Sequence, residues 1–391
     1  MKYLLFSLAC FGTLTSTVFL GMVFYAAMRF CARRRREKFD VADQQWPPVT
    51  LLKPLHGAEP GLRAYLESFF AIDYPEFEML FCAREESDAG LQMAREVAAL
   101  HPEVKVRFMT SGTPPWPNAK CYSLYLMAKE AAHDLLVITD SDVRVEPHFL
   151  RAVIAPMALD PAIGGSTCIY RGMAEGMGLW GKQEGLGMSV EMTAGVLVAE
   201  MLEGMKFMLG PTMVVRKAAL AEAGGFESMS DYYADDFILG NLVARKHTVT
   251  LSTHVIDHCI VNDSFATNFR HQWNWMKSTR FSRPSGHFGT VLTFATPFGL
   301  LGLLGAHLAG LPMAAGVALF AWSYLSRVLL CVIAGGMVIN DPDAWRNCWL
   351  YPLRDFFGFI YWAASYTSRT AIWRGDLYVL EEQGRLRRVN R

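Results

Sequence analysis

Two aspartates directly follow an apolar run of the sequence and are candidates for binding a divalent cation. The run is Leu135–Thr139, and the motif after it is Asp140-Ser141-Asp142. Two carboxylates at positions i and i+2 after a strand can face one pocket across a turn. Mg²⁺ is often held by one or two carboxylates together with substrate phosphates. Asp and Ser also favour turns and helix caps, which is the alternative role of this motif.

Three further acids occupy comparable places. Asp88 follows the apolar run Glu78–Cys82, where it is either a ligand or a solvated loop acid. Asp235 and Asp236 open the helical run Phe237–Ala244. A carboxylate at this place can take a proton from an attacking hydroxyl. It can also simply stabilise the positive end of the helix dipole.

Candidate phosphate ligands come from two lysines and from one basic, aromatic segment. Lys53 ends the first apolar run, and Lys120 opens a helix in the sequence Asn118-Ala119-Lys120. Either lysine could bind phosphate, although most lysines only solvate a surface. The segment Phe269–Arg283 contains Arg, Lys and Trp side chains immediately before a long apolar region. This composition suits the lipid headgroup layer, either as a binding segment or as a membrane-adjacent anchor.

An alternation of strands and helices positions these residues. The predicted strands are Val49–Lys53, Glu78–Cys82, Val104–Phe108 and Leu135–Thr139, and the helices between them are Leu62–Phe70, Leu91–Leu100 and Lys120–Ala132. Apolar strands that alternate with helices indicate a parallel sheet covered on both faces. Ligands of such sheets bind beyond the carboxyl ends of the strands, where the candidate residues lie.

The N-terminal region predicts a membrane anchor. Tyr3–Met28 contains no Asp, Glu, Lys or Arg and exceeds the roughly 20 residues that span a bilayer. Arg33–Arg36 and Lys38 follow it. A cleaved signal peptide would have the basic residues before a shorter apolar run. The positive-inside rule then places the N-terminus outside and the following residues in the cytoplasm.

The C-terminal region predicts two or three further membrane segments. Gly289–Leu311 and Met313–Ile339 are expected to be spans, with Arg327 near the middle of the second. Phe356–Ser368 is short, and it could be a third span, a re-entrant piece or an interfacial helix. The Met-rich stretch Met188–Lys206 either lines a lipid groove or forms ordinary helical core.

Composition excludes several classes of protein. The chain has 391 residues, of which 52% are hydrophobic and 19% charged, so intrinsic disorder is excluded. Lys+Arg 37 equals Asp+Glu 37, so no net basic charge indicates a nucleic-acid partner. The 8 Cys are sparse and lack the spacing of metal ligands, which predicts free thiols in a reducing compartment.

These motifs, in this order, resemble the ceramide glucosyltransferase family of membrane-bound enzymes, which includes bacterial hopanoid-type relatives. Val49–Gly57 is similar to the opening strand of the family and its Lys-Pro-Leu-x-Gly. The other matching positions are Asp88 for the first acid, Asn118 and Lys120 for Asn-x-Lys, Asp140-Ser141-Asp142 for the second acidic motif, and Asp236, with Asp235 beside it, for the third.

One family motif is altered in this sequence. The Gln/Arg-x-x-Arg-Trp motif falls on His271–Trp275, where Asn274 stands at the arginine position and only Trp275 is retained. Asn cannot supply a cationic fork to a diphosphate. Either Lys277 or Arg280, one turn further along, replaces the arginine, or the sugar donor is held differently.

The resemblance implies an α/β fold: a Rossmann-like glycosyltransferase domain of the GT-A type with one N-terminal and two to three C-terminal membrane segments. The implied organisation is a transmembrane helix in residues 1–28, a cytoplasmic catalytic domain in 29–265, an interfacial segment in 266–288, a transmembrane or re-entrant region in 289–375 and a basic cytoplasmic tail in 376–391. The protein would be an integral membrane protein, for example of a bacterial inner membrane.

The implied reaction is inverting transfer of a sugar, most simply glucose, from a UDP-sugar to a hydroxyl of a membrane lipid such as ceramide or a hopanoid. Asp236, with Asp235, would act as the base, and Asp140 and Asp142 would hold Mg²⁺ or Mn²⁺. The implied sugar-nucleotide ligands are Lys53, Asp88, Asn118, Lys120, Asp140, Trp275, Lys277 and Arg280, and the acceptor ligands are His271, Trp273 and Trp275.

Three alternatives stay open. A UDP-N-acetylglucosamine-dependent hopanoid glycosyltransferase would differ only in donor and acceptor. A non-catalytic membrane module could retain the sugar-nucleotide fold, and Asn274 favours this reading, whereas the set Asp88, Asp140, Asp142 and Asp236 opposes it. A processive polysaccharide synthase would need a multi-helix channel, for which two or three C-terminal spans are too few.

Overall fold

A mixed β-sheet forms the centre of the protein. The computed structural model describes residues 3–36, 46–261, 264–373 and 376–389; Lys38 and Arg391, both in predicted basic segments, lie outside them. The strands of the main sheet are β1 Val49–Pro54, β2 Phe77–Ala83, β3 Lys105–Thr110, β4 Leu135–Ile138, β5 Val143–Arg144, β6 Ile163–Met173, β7 Met213–Arg216 and β8 Thr248–Cys259.

The order of the strands confirms the predicted parallel half and adds a mixed half, in which β6 and β8 are parallel. The eight strands lie in the order β3-β2-β1-β4-β7-β6-β8-β5. β1 to β4 are mutually parallel, whereas β7 is antiparallel to β4 and β6, and β5 is antiparallel to β8. β1 and β4 are buried along their whole length, as expected of strands covered on both faces.

In the described part of the chain, fifteen α-helices surround the sheet or form the apolar layer beside it. They are α1 Leu4–Arg36, α2 Leu62–Phe70, α3 Ala89–Ala99, α4 Ala119–Glu130, α5 Phe149–Leu159, α6 Leu179–Leu186, α7 Thr193–Glu203, α8 Lys217–Glu222, α9 Asp235–Val243, α10 Phe265–Ser282, α11 Pro284–Gly289, α12 Thr296–Ala309, α13 Met313–Cys331, α14 Pro342–Asn347 and α15 Tyr351–Ala364. The π-helical segment Gly187–Met192 joins α6 to α7, and Val332–Val338 extends α13 in the same form.

Three described helices are long and apolar enough to cross a membrane. They are Leu4–Arg36, Leu179–Glu203 and Met313–Val338. The first and third confirm the predicted anchor and the second C-terminal span. Leu179–Glu203 was assigned by sequence to the catalytic domain, and 61% of its apolar window is buried inside the protein. This burial favours helical core over a lipid-facing groove for the Met-rich stretch.

The other predicted C-terminal span differs from the expected straight helix. Pro284–Thr293 and Thr296–Ala309 form a helix pair bent by 55°, and together they are apolar enough for one span. The break falls inside the predicted Gly289–Leu311. The candidate third segment is the helix Tyr351–Ala364, which packs against α10, α12 and α13.

The basic end of α1 contacts the α/β domain. Arg33 Nη1 lies 2.6 Å from Glu200 Oε1 on α7, and Arg34 Nε donates to the Thr253 carbonyl of β8 at 3.2 Å. These arginines were predicted only to orient the anchor. Their contacts also fix the main sheet relative to the apolar helices.

A buried ion pair explains the charge inside α13. Arg327 is 1% exposed, and its Nη1 donates to the Thr293 carbonyl at 2.8 Å and lies 3.4 Å from Asp355 Oδ1 on α15. Asp355 Oδ2 in turn accepts from the amides of Ala295 and Thr296. Because these amides and that carbonyl belong to the bent pair, the ion pair holds the break in place.

Replacement of this arginine is therefore expected to destabilise the helical layer. Arg327→Met leaves Asp355 buried without its cation, a change that costs about 3–5 kcal/mol in other proteins. The apparent midpoint of thermal unfolding in detergent should fall, and Asp355→Asn in the same chain should restore part of the loss. Arg346→Met, at an exposed position of α14, serves as the control. An unchanged midpoint for Arg327→Met would contradict this role.

The predicted basic tail is a folded element. β9 Thr370–Trp373, β10 Asp376–Leu380 and β11 Leu386–Arg388 form a three-stranded antiparallel sheet in the order β11-β10-β9. Its apolar side chains form a small cluster with Phe281 of α10. Residues 376–389 are thus packed against α10 and do not form the predicted basic tail as a separate extension.

Candidate active site

Lys53 joins the carboxyl ends of β1 and β4. Its Nζ donates to the backbone carbonyl of Asp140 at 2.7 Å and to Thr139 Oγ1 at 3.3 Å, and it lies 3.7 Å from the centre of the Phe69 ring. Burial lowers its pKa to about 7, against the opposing charges of Asp142 and Asp140. Lys53 is thus fixed beneath the Asp140-Ser141-Asp142 turn.

Lys120 connects the two acidic motifs. Its Nζ lies 2.8 Å from Asp140 Oδ1 and 3.4 Å from Asp235 Oδ2. Burial disfavours the charge of Lys120, but the carboxylates of Asp140 and Asp235 outweigh it and raise its pKa above the usual value. Burial likewise raises the pKa of Asp140, despite this lysine. The sequence predicted these residues separately, and the structure brings them together.

Asp236 lies on the other side of the same cluster. At the start of α9, its Oδ2 accepts from the Gly210 amide at 2.8 Å and its Oδ1 from the Phe237 amide at 2.7 Å. A Cβ added to Gly210 would lie 3.2 Å from Asp236 Oδ2 and 3.4 Å from Asp140 Oδ2, so both carboxylates approach one backbone position. Burial and the neighbouring Asp235 raise the pKa of Asp236 to about 6.

His258 is a member of the site that the sequence did not reveal. It lies in the long strand β8, and its Nε2 is 3.3 Å from Asp142 Oδ2. Burial opposes its charge, but Asp142 prevails and raises the pKa of His258 to about 9. The same interaction, with Lys53, lowers the pKa of Asp142 against the effect of burial. The pairing of β5 with β8 brings His258 next to Asp142, and this pairing is only two residues long. The sequence gives no sign of so short a pairing.

The donor set fits a divalent cation that is shared with a substrate. Asp142 Oδ1 is buried without a hydrogen-bond partner among the described residues. Over the same residues no group of three or more His, Cys, Asp or Glu side chains could hold a metal alone. Mg²⁺ commonly takes one or two carboxylates and completes its shell with phosphates and water. Asp140 and Asp142 match that incomplete set.

Asp88 and Asn118 make local structural contacts. Asp88 caps α3 through the amides of Gly90 and Leu91, and it accepts from the Gly57 amide at 2.9 Å. Asn118 is fully buried; it caps α4 through the Cys121 amide and donates to the Tyr232 carbonyl at 2.9 Å. Asn118 therefore ties the helix of Lys120 to the segment that leads to Asp235.

Three of the predicted ligands on α10 donate to backbone carbonyls of residues 364–370, which are called the C-terminal segment below. Lys277 donates to the Thr370 carbonyl and lies 3.9 Å from the centre of the Trp273 ring, and burial lowers its pKa to about 8. Arg280 donates to the Ser365 carbonyl at 2.7 Å, and Trp273 Nε1 to the Ala364 carbonyl at 2.8 Å.

His271 and Trp275 occupy other faces of α10. His271 Nδ1 lies 3.3 Å from Glu184 Oε1 of α6, while Trp275 is 39% exposed. Glu184 belongs to a buried polar network between α6, α10 and α15 that the sequence did not indicate. Further contacts in it join Asn268 to Glu184 and Tyr361, and Arg354 to Gln272 and Glu191. The predicted α10 ligands are thus not gathered in one place.

The α/β sheet with its acidic cluster and the attached apolar helices form the arrangement that is expected of a GT-A-type membrane glycosyltransferase. A family profile described as Glycosyl transferase family 21 matches residues 13–386. The chain belongs to this family. The resemblance to ceramide glucosyltransferases that the motifs indicated is confirmed.

Several curated relatives of this chain are ceramide glucosyltransferases. Ceramide glucosyltransferase 1 of Caenorhabditis elegans is 24% identical over 349 residues, which are 88% of this chain and 74% of the relative. Ceramide glucosyltransferase 3 of the same organism is 22% identical over 349 residues, 88% of this chain and 75% of that one. Ceramide glucosyltransferase of Komagataella phaffii is 29% identical over 142 residues, 35% of this chain and 28% of that one.

Two solved structures illustrate the more distant similarity. Mannosyltransferase PcManGT from Pyrobaculum calidifontis, in complex with GDP-Man and Mn²⁺, has a TM-score of 0.49 and 17% identity, covering 90% of this chain and 99% of that chain. Glucosyl-3-phosphoglycerate synthase from Mycobacterium tuberculosis, in complex with Mn²⁺, UDP and phosphoglyceric acid, has a TM-score of 0.38 and 14% identity, covering 69% of this chain and 81% of that chain.

Proposed function

We propose that this glycosyltransferase moves a sugar, glucose in the first instance, from a UDP-sugar to a hydroxyl of a membrane lipid with inversion at the anomeric carbon. The observation that carries the proposal is the partly buried Asp236 carboxylate, which accepts from two backbone amides beside the Lys120–Asp140 pair. The pKa of Asp236, raised to about 6, makes this group a stronger base than an ordinary aspartate. It is still ionised at neutral pH.

The reaction is a single displacement. The lipid oxygen forms a bond to the anomeric carbon while the bond from that carbon to the diphosphate breaks. The hydroxyl proton passes to Asp236, and the electron pair of the broken bond leaves with UDP. Because the oxygen attacks the face opposite the diphosphate, the configuration of the anomeric carbon inverts.

Residues at the carboxyl ends of β1 and β4 would hold the donor. Asp140 and Asp142 would bind Mg²⁺ or Mn²⁺, which when bound stabilises the negative charge that develops on the leaving diphosphate. Lys120 would contribute a second positive charge nearby. Lys277 and Arg280 bond to the C-terminal segment. These contacts favour a role in positioning that segment over direct binding of the diphosphate.

The apolar helices favour a lipid acceptor. α1 packs against α7, α12 and α13, so the catalytic sheet is attached to the helices that can enter a bilayer. A soluble acceptor would not need this attachment. The curated relatives are ceramide glucosyltransferases, which makes ceramide the first acceptor to test. Under the positive-inside rule, the arginines at the end of α1 favour a cytoplasmic position for the catalytic domain.

The test uses the purified full chain in detergent with Mn²⁺ or Mg²⁺. UDP-glucose and UDP-N-acetylglucosamine are each offered with ceramide and with a hopanoid polyol, and products are sought by mass. The expected result is a hexosylated lipid, and NMR of its anomeric proton reports inversion. The matched control is Asp160→Asn, which changes an exposed carboxylate outside the acidic cluster.

Two results would contradict the proposal. A retained anomeric configuration would overturn the single displacement with Asp236 as base. Failure of every donor and acceptor pair, together with no metal-dependent binding of UDP, would instead favour a non-catalytic membrane module. Product from UDP-N-acetylglucosamine and the polyol would keep the chemistry and replace both glucose and ceramide.

A further inference from the structure

The C-terminal sheet is bonded to the segment that leads to the candidate base. The Leu386 amide donates to the Asp231 carbonyl, and the Tyr233 amide donates to the Gly384 carbonyl at 3.0 Å. Arg385 Nη1 lies 2.7 Å from Asp231 Oδ2. Tyr233 shortly precedes Asp235 and Asp236. The small sheet β9–β11 is therefore bonded to the segment that carries part of the acidic cluster.

The same small sheet forms one wall of a cleft. Asp376 and Tyr378 of β10 supply this wall. The opposite wall contains His56, Arg84 and Ser111, which follow the carboxyl ends of β1, β2 and β3. Ligands of parallel α/β sheets bind in the crevice beyond these strand ends.

The cleft adjoins the diphosphate side of the acidic cluster. Ala119 and Ser123 of α4 also line it. Lys120, the neighbour of Ala119, makes the ion pair with Asp140. A sugar nucleotide with its diphosphate at Asp140 would therefore extend its nucleoside along the start of α4 into the cleft.

We infer that the C-terminal sheet closes the nucleoside part of the donor site, with Asp376 and Tyr378 contacting the nucleoside itself. The inference rests on the proposed function, since it assumes a nucleoside diphosphate donor. The carboxylate of Asp376 can accept hydrogen bonds from the ribose hydroxyls. In the free nucleotide these hydroxyls donate to water. Tyr378 also lines the cleft, so the part of its side chain that faces the cleft can contact the nucleoside.

The local packing fixes both side chains in place. Asp376 Oδ2 is held 2.8 Å from Arg388 Nη2 on β11. Tyr378 is 5% exposed and packs with Phe281, Leu380 and Leu386. This arrangement restricts the rotamers of both residues before a ligand arrives, which reduces the entropy lost on binding.

The experiment measures binding of UDP and of inorganic pyrophosphate, each with Mn²⁺, to the full-length chain in detergent. Asp376→Asn is expected to weaken UDP binding by about tenfold, as for loss of one hydrogen bond to a charged group. Binding of pyrophosphate, which has no nucleoside, should stay the same. Tyr378→Leu is expected to act in the same direction, and Tyr378→Phe should retain the contact that the ring makes with the nucleoside.

Glu381→Gln is the matched control. Glu381 pairs with Arg387 at 2.6 Å on the same small sheet, but it does not line the cleft. If Glu381→Gln weakens UDP binding as much as Asp376→Asn, the sheet acts only as a structural support and the inference is wrong. Equal losses for UDP and pyrophosphate in Asp376→Asn would also overturn it.

The outcomes separate this inference from the proposed function. If the wild-type chain binds UDP and Asp376→Asn binds it equally well, only the role of the C-terminal sheet is refuted. If the wild-type chain binds no nucleoside diphosphate with either metal, the proposed function fails and this inference fails with it. A selective loss of UDP binding in Asp376→Asn supports both.

Discussion

Asp236→Asn is expected to abolish most sugar transfer and to leave UDP binding intact. Asn preserves the shape of the side chain and can still accept from the Gly210 amide, but it cannot take a proton from the acceptor hydroxyl. Loss of a general base typically costs 10²–10⁴-fold in rate. Steady-state transfer and equilibrium binding of UDP, measured on the same preparation, give the two readouts.

The pH profile supplies an independent readout of the same group. Burial and Asp235 raise the pKa of Asp236 to about 6, and only the deprotonated carboxylate can act as base. Wild-type kcat should therefore fall as pH decreases through about 6 and approach a plateau above it. Asp236→Asn should lack this limb in whatever activity remains.

Asp160→Asn is the control, because it removes an exposed carboxylate from a turn outside the cluster. It should retain wild-type transfer and the wild-type pH profile. Transfer by Asp236→Asn at near the wild-type rate would show that another group takes the proton. In that case Asp235, which also contacts Lys120, becomes the next residue to replace.

The parallel half of the fold could be predicted because each of its elements has a local signature. The apolar run predicted at Leu135–Thr139 is the strand Leu135–Ile138, and the helix predicted at Leu62–Phe70 has those same bounds. A strand covered on both faces consists almost wholly of apolar residues, and helix α2 keeps its apolar side on one stripe. Both patterns can be recognised in the sequence without knowing which elements pack against the strand or the helix.

The C-terminal sheet has no such signature. β11 is only Leu386–Arg388, and two of its three residues are arginines. Its stability comes from contacts with Asp231 and Tyr233, which lie far away along the chain. The pattern of apolar residues in a sequence indicates which residues of one element are buried by their own spacing. The residues of β11 are instead fixed by a segment that is distant along the chain. The basic residues were accordingly interpreted as a tail.

The same distinction separates the predicted and the missed parts of the site. The acids of Asp140-Ser141-Asp142 stand directly after a recognisable strand, so their place at its carboxyl end followed from the sequence. His258 lies within β8, and it meets Asp142 only because the short β5 pairs with β8. For α10, composition predicted a basic, aromatic interfacial segment but not its neighbour, and Lys277 donates to the Thr370 carbonyl.

The second large effect is expected for Asp142→Asn, which should remove the metal dependence of UDP binding. Asp142 Oδ1 is buried without a partner among the described residues, while Oδ2 faces His258. A neutral amide is a weaker ligand for a hard cation than a carboxylate. Because a bound metal contributes several kcal/mol to charge stabilisation, transfer should fall by at least about 100-fold.

Titration of UDP with and without Mn²⁺ distinguishes metal loss from misfolding. The wild type should bind UDP more tightly with Mn²⁺, whereas Asp142→Asn should bind with the same weak affinity in both conditions. Asp73→Asn, an exposed carboxylate paired with Arg151, should behave as the wild type. His258→Gln retains the Asp142 charge but loses its partner, so it should reduce metal affinity by about 10–100-fold. An undiminished Mn²⁺ effect in Asp142→Asn would place the metal on other residues, because this carboxylate would then contribute no ligand.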